Sequence, residues 1–267
     1  MQSVRIRKEE PSDYRATELM TMRAFWNLHG PGCNEHYLVH LIRDSADYLP
    51  NLSRVAELDG KIVGAIFYTR AWITDGQQRH AIVTFGPLAV DPMAQSMGIG
   101  KMLLEETISL VKEAGYPGIC IIGEPNYYPK HGFMTCDNFG ITDSEGNNYD
   151  PFMGLEVTAE GFRNIKGRFT EPDVFAQSDD EKAVEAFTQE FPQYPKYRVP
   201  AQWLHEEKLG RVAAIRSGVY DIEFWEAVLP AVLKDSFQGE KPTVGSLVTF
   251  DYRREGNCLI RTVEKEL

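Results

Sequence analysis

Cysteine is scarce in this sequence. Its four copies, Cys33, Cys120, Cys136 and Cys258, form no CxxC pair and no tight cluster. That scatter argues against a disulfide scaffold and against a cysteine zinc site. Long apolar runs are missing too, and none approaches the ~20 residues a membrane-spanning helix needs. The opening MQSVRIRKEE is polar and charged rather than a secretory signal. Basic residues are outnumbered, 28 against 39 acidic, for a net charge of −11, of which −8 falls before residue 160 and −3 after it. Neither part has the basic excess that would neutralise a nucleic-acid backbone. The expectation is a cytoplasmic chain with neither nucleic acid nor membrane as partner. Its acidic surface would steer cationic small molecules or basic peptides only weakly.

What is present is ordinary globular composition, 43% hydrophobic and 25% charged over 267 residues. That length allows one large domain, or one domain and a smaller unit. The first 160 residues read as alternating strands and helices. Val4 and Ile6 alternate with Arg5 and Arg7 in a half-buried strand. Ser12 and Asp13 offer caps for a helix carrying Leu19, Met22 and Phe25, and a second short helix spans 34–44. Asp59-Gly60 between two β-rich runs predicts a hairpin. A long strand over 80–90 is interrupted by Gly86-Pro87, where the missing proline N–H marks a bulge or a loss of pairing. A helix with Leu104, Ile108 and Val111 on one face ends at Gly115, and GICIIG follows as a buried strand. Stretches 133–142 and 152–157 are expected to close the sheet.

From residue 161 to 267 the pattern predicts an α+β appendage. Ser178 to Glu181 reads as a capping box before a helix, and the stretch 191–200, with three prolines, as a linker or packing arm. A helix is expected over 221–233, broken at Pro230, with a final hairpin across 253–257.

The stretch richest in chemistry is Leu88-Ala89-Val90, then Gln95-Ser96-Met97-Gly98-Ile99-Gly100-Lys101. Here a strand runs into a glycine-containing loop that opens directly into a helix. The unpaired N–H groups and partial positive charge of a helix N-terminus suit phosphate oxygens, and glycine lets a pyrophosphate approach the backbone closely. A Walker loop is excluded by the spacing and by the absence of Ser or Thr after Lys101. A Rossmann fingerprint would need a third glycine where Leu103 stands. A plain tight turn at a helix start is the other reading of these glycines.

Gln95-x-x-Gly98-x-Gly100, after a bulged strand ending in Val90-Asp91-Pro92, resembles the acetyl-CoA loop of the GNAT superfamily of N-acetyltransferases. A second match, Tyr128-Pro-Lys-His-Gly132-Phe133, follows the next strand, as in that family. GEPNYYPKHGF further resembles a GNAT subgroup carrying G-D/E-P-x-Y-Y. The resemblance covers roughly residues 1–160 and implies a mixed, mostly antiparallel α/β (α+β) sheet flanked by helices, with 161–267 as an extension outside the shared core.

It also implies an acetyl-CoA-dependent acyltransferase. The fourth and fifth strands would splay apart, and the pantetheine arm would bond the backbone of Leu88, Ala89 and Val90. Amides of Gln95, Ser96, Met97, Gly98, Ile99, Gly100 and Lys101 would hold the pyrophosphate. An amine would attack the thioester directly in a ternary complex, with the Val90 amide polarising its oxygen and Tyr128 protonating the departing thiolate. Many family members place a glutamate on the fourth strand, but TFGPLAV holds no carboxylate. Glu124 is then the nearest candidate base, its alternatives being a solvated charge, a cap for the following turn, or a water chain to solvent.

Other residues carry less. His36 and His40 have the spacing of a metal pair but no third ligand, so packing or surface roles are expected and no metal. His131 reads as a loop residue and Cys120 as buried and inert, and nothing supports an acyl relay through Cys136. The alternative to catalysis is a non-catalytic acyl-CoA-binding module whose appendage supplies a partner or homodimer interface. The acceptor amine is not readable, although Glu35 or Glu124 would suit a cation.

Overall fold

The computed structural model describes residues 3–204 and 207–267. The chain forms two compact units. The first gathers Met1–Thr21, Asn34–Asp91 and Gly98–Phe191; the second gathers Met22–Cys33, Pro92–Met97 and Pro192–Leu267. Residues 161–191, grouped with the appendage by sequence pattern, pack in the first unit.

The first unit is built on strands β1 (Arg5–Arg7), β2 (Arg54–Leu58), β3 (Lys61–Thr74), β4 (Arg79–Val90), β5 (Gly118–Ile122), β6 (Met134–Thr135), β7 (Ile141–Thr142), β8 (Phe152–Glu156) and β9 (Gly167–Thr170). Its helices are α1 (Tyr14–Phe25), whose last turn lies in the second unit, α2 (Glu35–Ile42), α3 (Ile99–Glu113), α4 (Val174–Gln177) and α5 (Glu181–Thr188). Sheet order is β1-β2-β3-β4-β5-β8-β6, with β9 beside the far half of β3 and β7 beside β9. Pairing is antiparallel except for β4–β5 and β7–β9. This is the mixed, mostly antiparallel sheet flanked by helices that the sequence implies.

Local chemistry explains the elements that position the site. Asp59 and Gly60 take φ of +51° and +76°, so the β2–β3 hairpin turns on the residue pair its twist demands. Between β3 and β4 the register jumps from Ile66↔Leu88 to Tyr68↔Phe85, so Gly86 and Pro87 together oppose Phe67 alone. The bulge sits at the expected dipeptide. Helix α3 buries Leu103, Leu104, Thr107 and Val111, with Ile108 only half-buried. The fully buried Tyr68 hydroxyl donates to Thr107 Oγ1 at 3.1 Å, and Thr107 donates on to the Leu103 carbonyl at 2.8 Å. Satisfying that hydroxyl avoids a desolvation penalty of about 1–3 kcal/mol.

Two expectations differ in detail. The cap of α5 is Asp180, whose carboxylate accepts from the Lys182 and Ala183 amides, whereas Ser178 donates back to the Phe175 carbonyl. Between 133 and 142 only two short strands form, separated by a 3-10 turn over Cys136–Phe139.

The second unit holds a closed barrel of β10 (Glu207–Arg216), β11 (Val219–Phe224), β12 (Ala227–Leu233), β13 (Leu247–Asp251) and β14 (Cys258–Glu264), in the order β10-β11-β12-β14-β13. The β12–β14 pair is parallel and all others are antiparallel, a Greek-key connectivity of the OB type. The final hairpin is present as β13–β14. The helix expected over 221–233 is absent. Tyr220, Ile222 and Phe224 alternate into the barrel core with period two, and the chain reverses at Trp225, whose φ is +56°. Pro230 is tolerated because β14 pairs with β12 only from Ala231 onward. The proline-rich arm is an extended packing segment: the Pro195 carbonyl accepts from Trp26 Nε1 at 2.9 Å and Asn27 Nδ2 at 3.0 Å.

Candidate active site

The site begins where β4 outruns its neighbour. Among the described residues β4 and β5 pair only at Val83↔Ile119, before the bulge, so the strands part company toward Leu88, Ala89 and Val90. The next helix opens close by in sequence. Gly98 caps α3 with φ of +76°, a conformation natural to glycine, and Ser96 reaches +64° in the preceding loop. Gln95 and Met97 are half-buried, Ser96, Gly98 and Lys101 are exposed, and Ile99 turns into the core. Lys101 lies 3.6 Å from Glu105 on the same exposed helix face. The first turn of α3 therefore presents its backbone amides while its apolar side chain is turned away.

A tyrosine pair covers this start. A Cβ on Gly100 would lie 2.8 Å from the Tyr127 hydroxyl and 3.7 Å from Val90 Cγ2, so a bare backbone is what admits the ring. Tyr127 packs edge-on to Tyr128 at 5.1 Å and against His131 at 4.8 Å. Tyr127 lies in the GEPNYYPKHGF segment without a role that the sequence assigns to it, and its adjacency to Tyr128 is the signal there. Tyr128 is deeper, against Phe85 at 5.7 Å and Phe133 at 5.5 Å. Its ring occupies the space a Cβ on Gly123 would need, 2.4 Å away. Burial, then the neighbouring Tyr127, Tyr68 and Glu124, push its hydroxyl well above the ordinary tyrosine range, and burial alone raises Tyr127. A hydroxyl raised in this way stays protonated near neutral pH.

Glu124 holds the turn that carries both tyrosines. Its Oε1 accepts from the Asn126 amide and side chain at 3.0 Å each, and its carbonyl accepts from the Tyr127 amide at 3.0 Å.

A second acidic group lies at the start of α2. Glu35 opens α2, and burial pushes its carboxyl up to about 7, against the lowering pull of the Glu35 and Asn34 amides, with Asp179 adding repulsion. Burial and Asp179 likewise raise Glu171. Helix α2 packs on α4 and β4. Phe175 of α4 lies 2.9 Å from where a Cβ on Gly86 would stand. Among carboxylates in this unit, Glu35 is thus poised near neutrality beside elements that frame the bulge.

The remaining candidates are structural. His36 is buried, and its Nε2 donates to Thr188 Oγ1 at 3.0 Å, since that hydroxyl itself donates to the Val184 carbonyl. His40 meets Glu18 at 3.1 Å. Cys120 and Cys136 are both buried, with sulfurs 4.0 Å apart, and burial raises the Cys120 thiol. No group of three metal-ligating side chains occurs among the described residues, and no helix among them is long and apolar enough to cross a membrane.

Comparison with known proteins places this geometry. Residues 50–135 match the family described as acetyltransferase (GNAT) domain. The uncharacterized N-acetyltransferase YjhQ of Escherichia coli K12 is 33% identical over 129 residues, 48% of this chain and 67% of the relative. The uncharacterized N-acetyltransferase YhbS of the same strain is 28% identical over 129 residues, 48% of this chain and 72% of the relative. In the crystal structure of Escherichia coli YhbS in complex with CoA the fold is shared at a TM-score of 0.59 and 21% identity, over 66% of this chain and 93% of that one. A GNAT family acetyltransferase from Brucella melitensis, in complex with acetyl-CoA, aligns at a TM-score of 0.53 and 25% identity, over 66% of this chain and 99% of that one.

Proposed function

Because the chain belongs to the GNAT family of acetyltransferases, we propose that it moves an acetyl group from acetyl-CoA to an amine. The observation that carries this reading is the bulge at Gly86-Pro87. Beyond it β4 leaves β5, next to a helix start with a left-handed Gly98 and a side-chain-free Gly100. The two related structures hold CoA and acetyl-CoA. Here Leu88, Ala89 and Val90 are the strand edge for the pantetheine arm. The amides from Gln95 to Lys101 are the cradle for the pyrophosphate. The Tyr127 hydroxyl, over Gly100, is an added donor to the same anion.

Acetyl-CoA supplies an activated acyl group whose thioester carbonyl an unprotonated amine can attack. The Val90 amide is the donor at the carbonyl oxygen, where negative charge develops as the new C–N bond forms. Tyr128, kept protonated by its surroundings, gives its proton to the sulfur as the C–S bond breaks. Glu35, with its carboxyl near 7, is the acceptor-side group that takes the ammonium proton, while Glu124 serves the turn. Direct attack in a ternary complex asks the protein chiefly for orientation.

Calorimetric titration with acetyl-CoA tests the reading, with ATP and NADH as controls and Gly98→Glu beside the wild type. Binding near micromolar, about −8 kcal/mol, that the acidic variant abolishes supports the cofactor loop. Absence of acetyl-CoA binding overturns it. Turnover lost in Tyr128→Phe with acetyl-CoA affinity retained separates an enzyme from a non-catalytic acyl-CoA-binding module.

A further inference from the structure

The second unit contains a cavity of roughly 210 Å³ that the transfer chemistry does not use. Five aromatic side chains line it, Trp26, Tyr194, Tyr197, Phe224 and Trp225, beside aliphatic and charged residues. Tyr194 meets Trp225 edge-on at 4.6 Å and Trp26 at 6.4 Å, so three rings form one connected wall. Asn27 fixes that wall by accepting from the Tyr197 amide at 3.1 Å while donating to the Pro195 carbonyl at 3.0 Å.

Into this apolar space β10 sends a lysine. Lys208 pairs across the sheet with Phe250 and shares its face with Val212, both members of the barrel core. It is 8% exposed, and burial pushes its ammonium down to about 8. Other charges at the cavity have counter-ions. Arg23 lies 3.5 Å from Glu226, Arg211 lies 3.5 Å from Glu266, and Glu207 accepts from Arg261 at 2.7 Å. Glu223 is exposed. Lys208 has no carboxylate within ion-pairing distance among the described residues. The buried indole Nε1 of Trp225 also has no hydrogen-bond acceptor there. A buried cation and a buried N–H without acceptors are costly, and a ligand oxygen would offset both.

We propose that this cavity binds a small aromatic carboxylate, its ring against Trp26, Tyr194 and Trp225 and its carboxylate met by the Lys208 ammonium and the Trp225 indole N–H. Apolar and aromatic walls with a few polar groups are the usual make-up of a small-molecule site. Residues 192–267 carry eleven basic and eleven acidic side chains, no excess for a polyanion, so one buried cation calls for one small anion. The site stands independently of acetyl transfer.

The test is calorimetric titration of the full chain with benzoate, and with benzamide as its neutral isostere. Benzoate is expected to bind saturably at millimolar concentration or below, benzamide about tenfold more weakly, and Lys208→Met to lose about tenfold of the benzoate affinity. Equal binding of the two probes, an unchanged Lys208→Met, or no saturation by benzoate overturns the proposal. Should Lys208→Met not fold, cyanate carbamylation of the wild-type chain decides. Benzoate slows modification of Lys208 if the proposal holds, and an unchanged rate at that residue overturns it.

Discussion

The hydroxyl of Tyr127 lies 2.8 Å from the point a Cβ on Gly100 would occupy. The two residues are thereby locked together: the helix start stays bare so that the phenol can lie on it. Tyr127 cannot swing away freely, because Tyr128 and His131 pack on its ring. Gly100→Ala is therefore expected to weaken acetyl-CoA binding about tenfold, close to 1.4 kcal/mol. Adding Tyr127→Phe should cost little more, because the displaced hydroxyl has already lost its place over the helix start. Titration of both variants checks the coupling, and equal affinities for wild type and Gly100→Ala would count against it.

Tyr128→Phe keeps the ring that fills the space beside Gly123 and deletes only the proton. Turnover should fall by about 10²–10⁴ while acetyl-CoA affinity stays within about twofold. Steady-state kinetics alongside calorimetry reads both numbers. An unchanged kcat would assign the proton to water.

Glu35 gives the pH dependence. As a base it must be ionised, so kcat/KM should rise with pH through about 7, and Glu35→Gln should remove that limb. Stability runs the other way. The folded carboxyl titrates near 7 and its ordinary value is 4.5, so the fold binds the extra proton between those values. The stability tied to protonated Glu35 is complete below 4.5 and is lost as pH rises through 7. Urea unfolding at pH 5 and pH 8 should show Glu35→Gln gaining up to about 3 kcal/mol on wild type at the higher pH. Parallel behaviour of the two proteins would remove Glu35 from the account.

Arg43 anchors the helical layer by a buried charge cluster. Its guanidinium reaches Glu9 at 2.8 and 3.0 Å and Glu18 at 2.5 Å, over the Tyr14 ring at 4.0 Å. Arg43→Ala strands the buried Glu9 carboxylate and leaves Glu18 with only the exposed His40 and Arg15, and it should cost about 3–5 kcal/mol in chemical denaturation. A triple replacement of Glu9, Arg43 and Glu18 by apolar residues of similar volume should cost much less, because no buried charge is left unpaired and the other partners of Glu18, Arg15 and His40, are exposed.

Sequence by itself determined what depends on neighbouring residues. Asp59-Gly60 dictated a hairpin, Gly86-Pro87 a bulge or a loss of pairing, and the run from Val90 to Lys101 a strand, a tight loop and a helix start, since each follows from backbone sterics over a few positions. Those local signals also carried the family. Tertiary structure decided the rest. The stretch 221–233 became a hairpin because closing a barrel buries Tyr220, Ile222 and Phe224 on one face, a long-range gain that local helical pattern cannot register. The sequence offers Glu124 as the nearest candidate base and Glu35 only as an acid suited to a cation, and it leaves the surroundings of both open. Only folding gave one to a turn and set the other in a place where burial lifts its carboxyl to about 7. Lys208 carries no signal in the sequence, because desolvation belongs to the space around a residue and not to its neighbours in the chain.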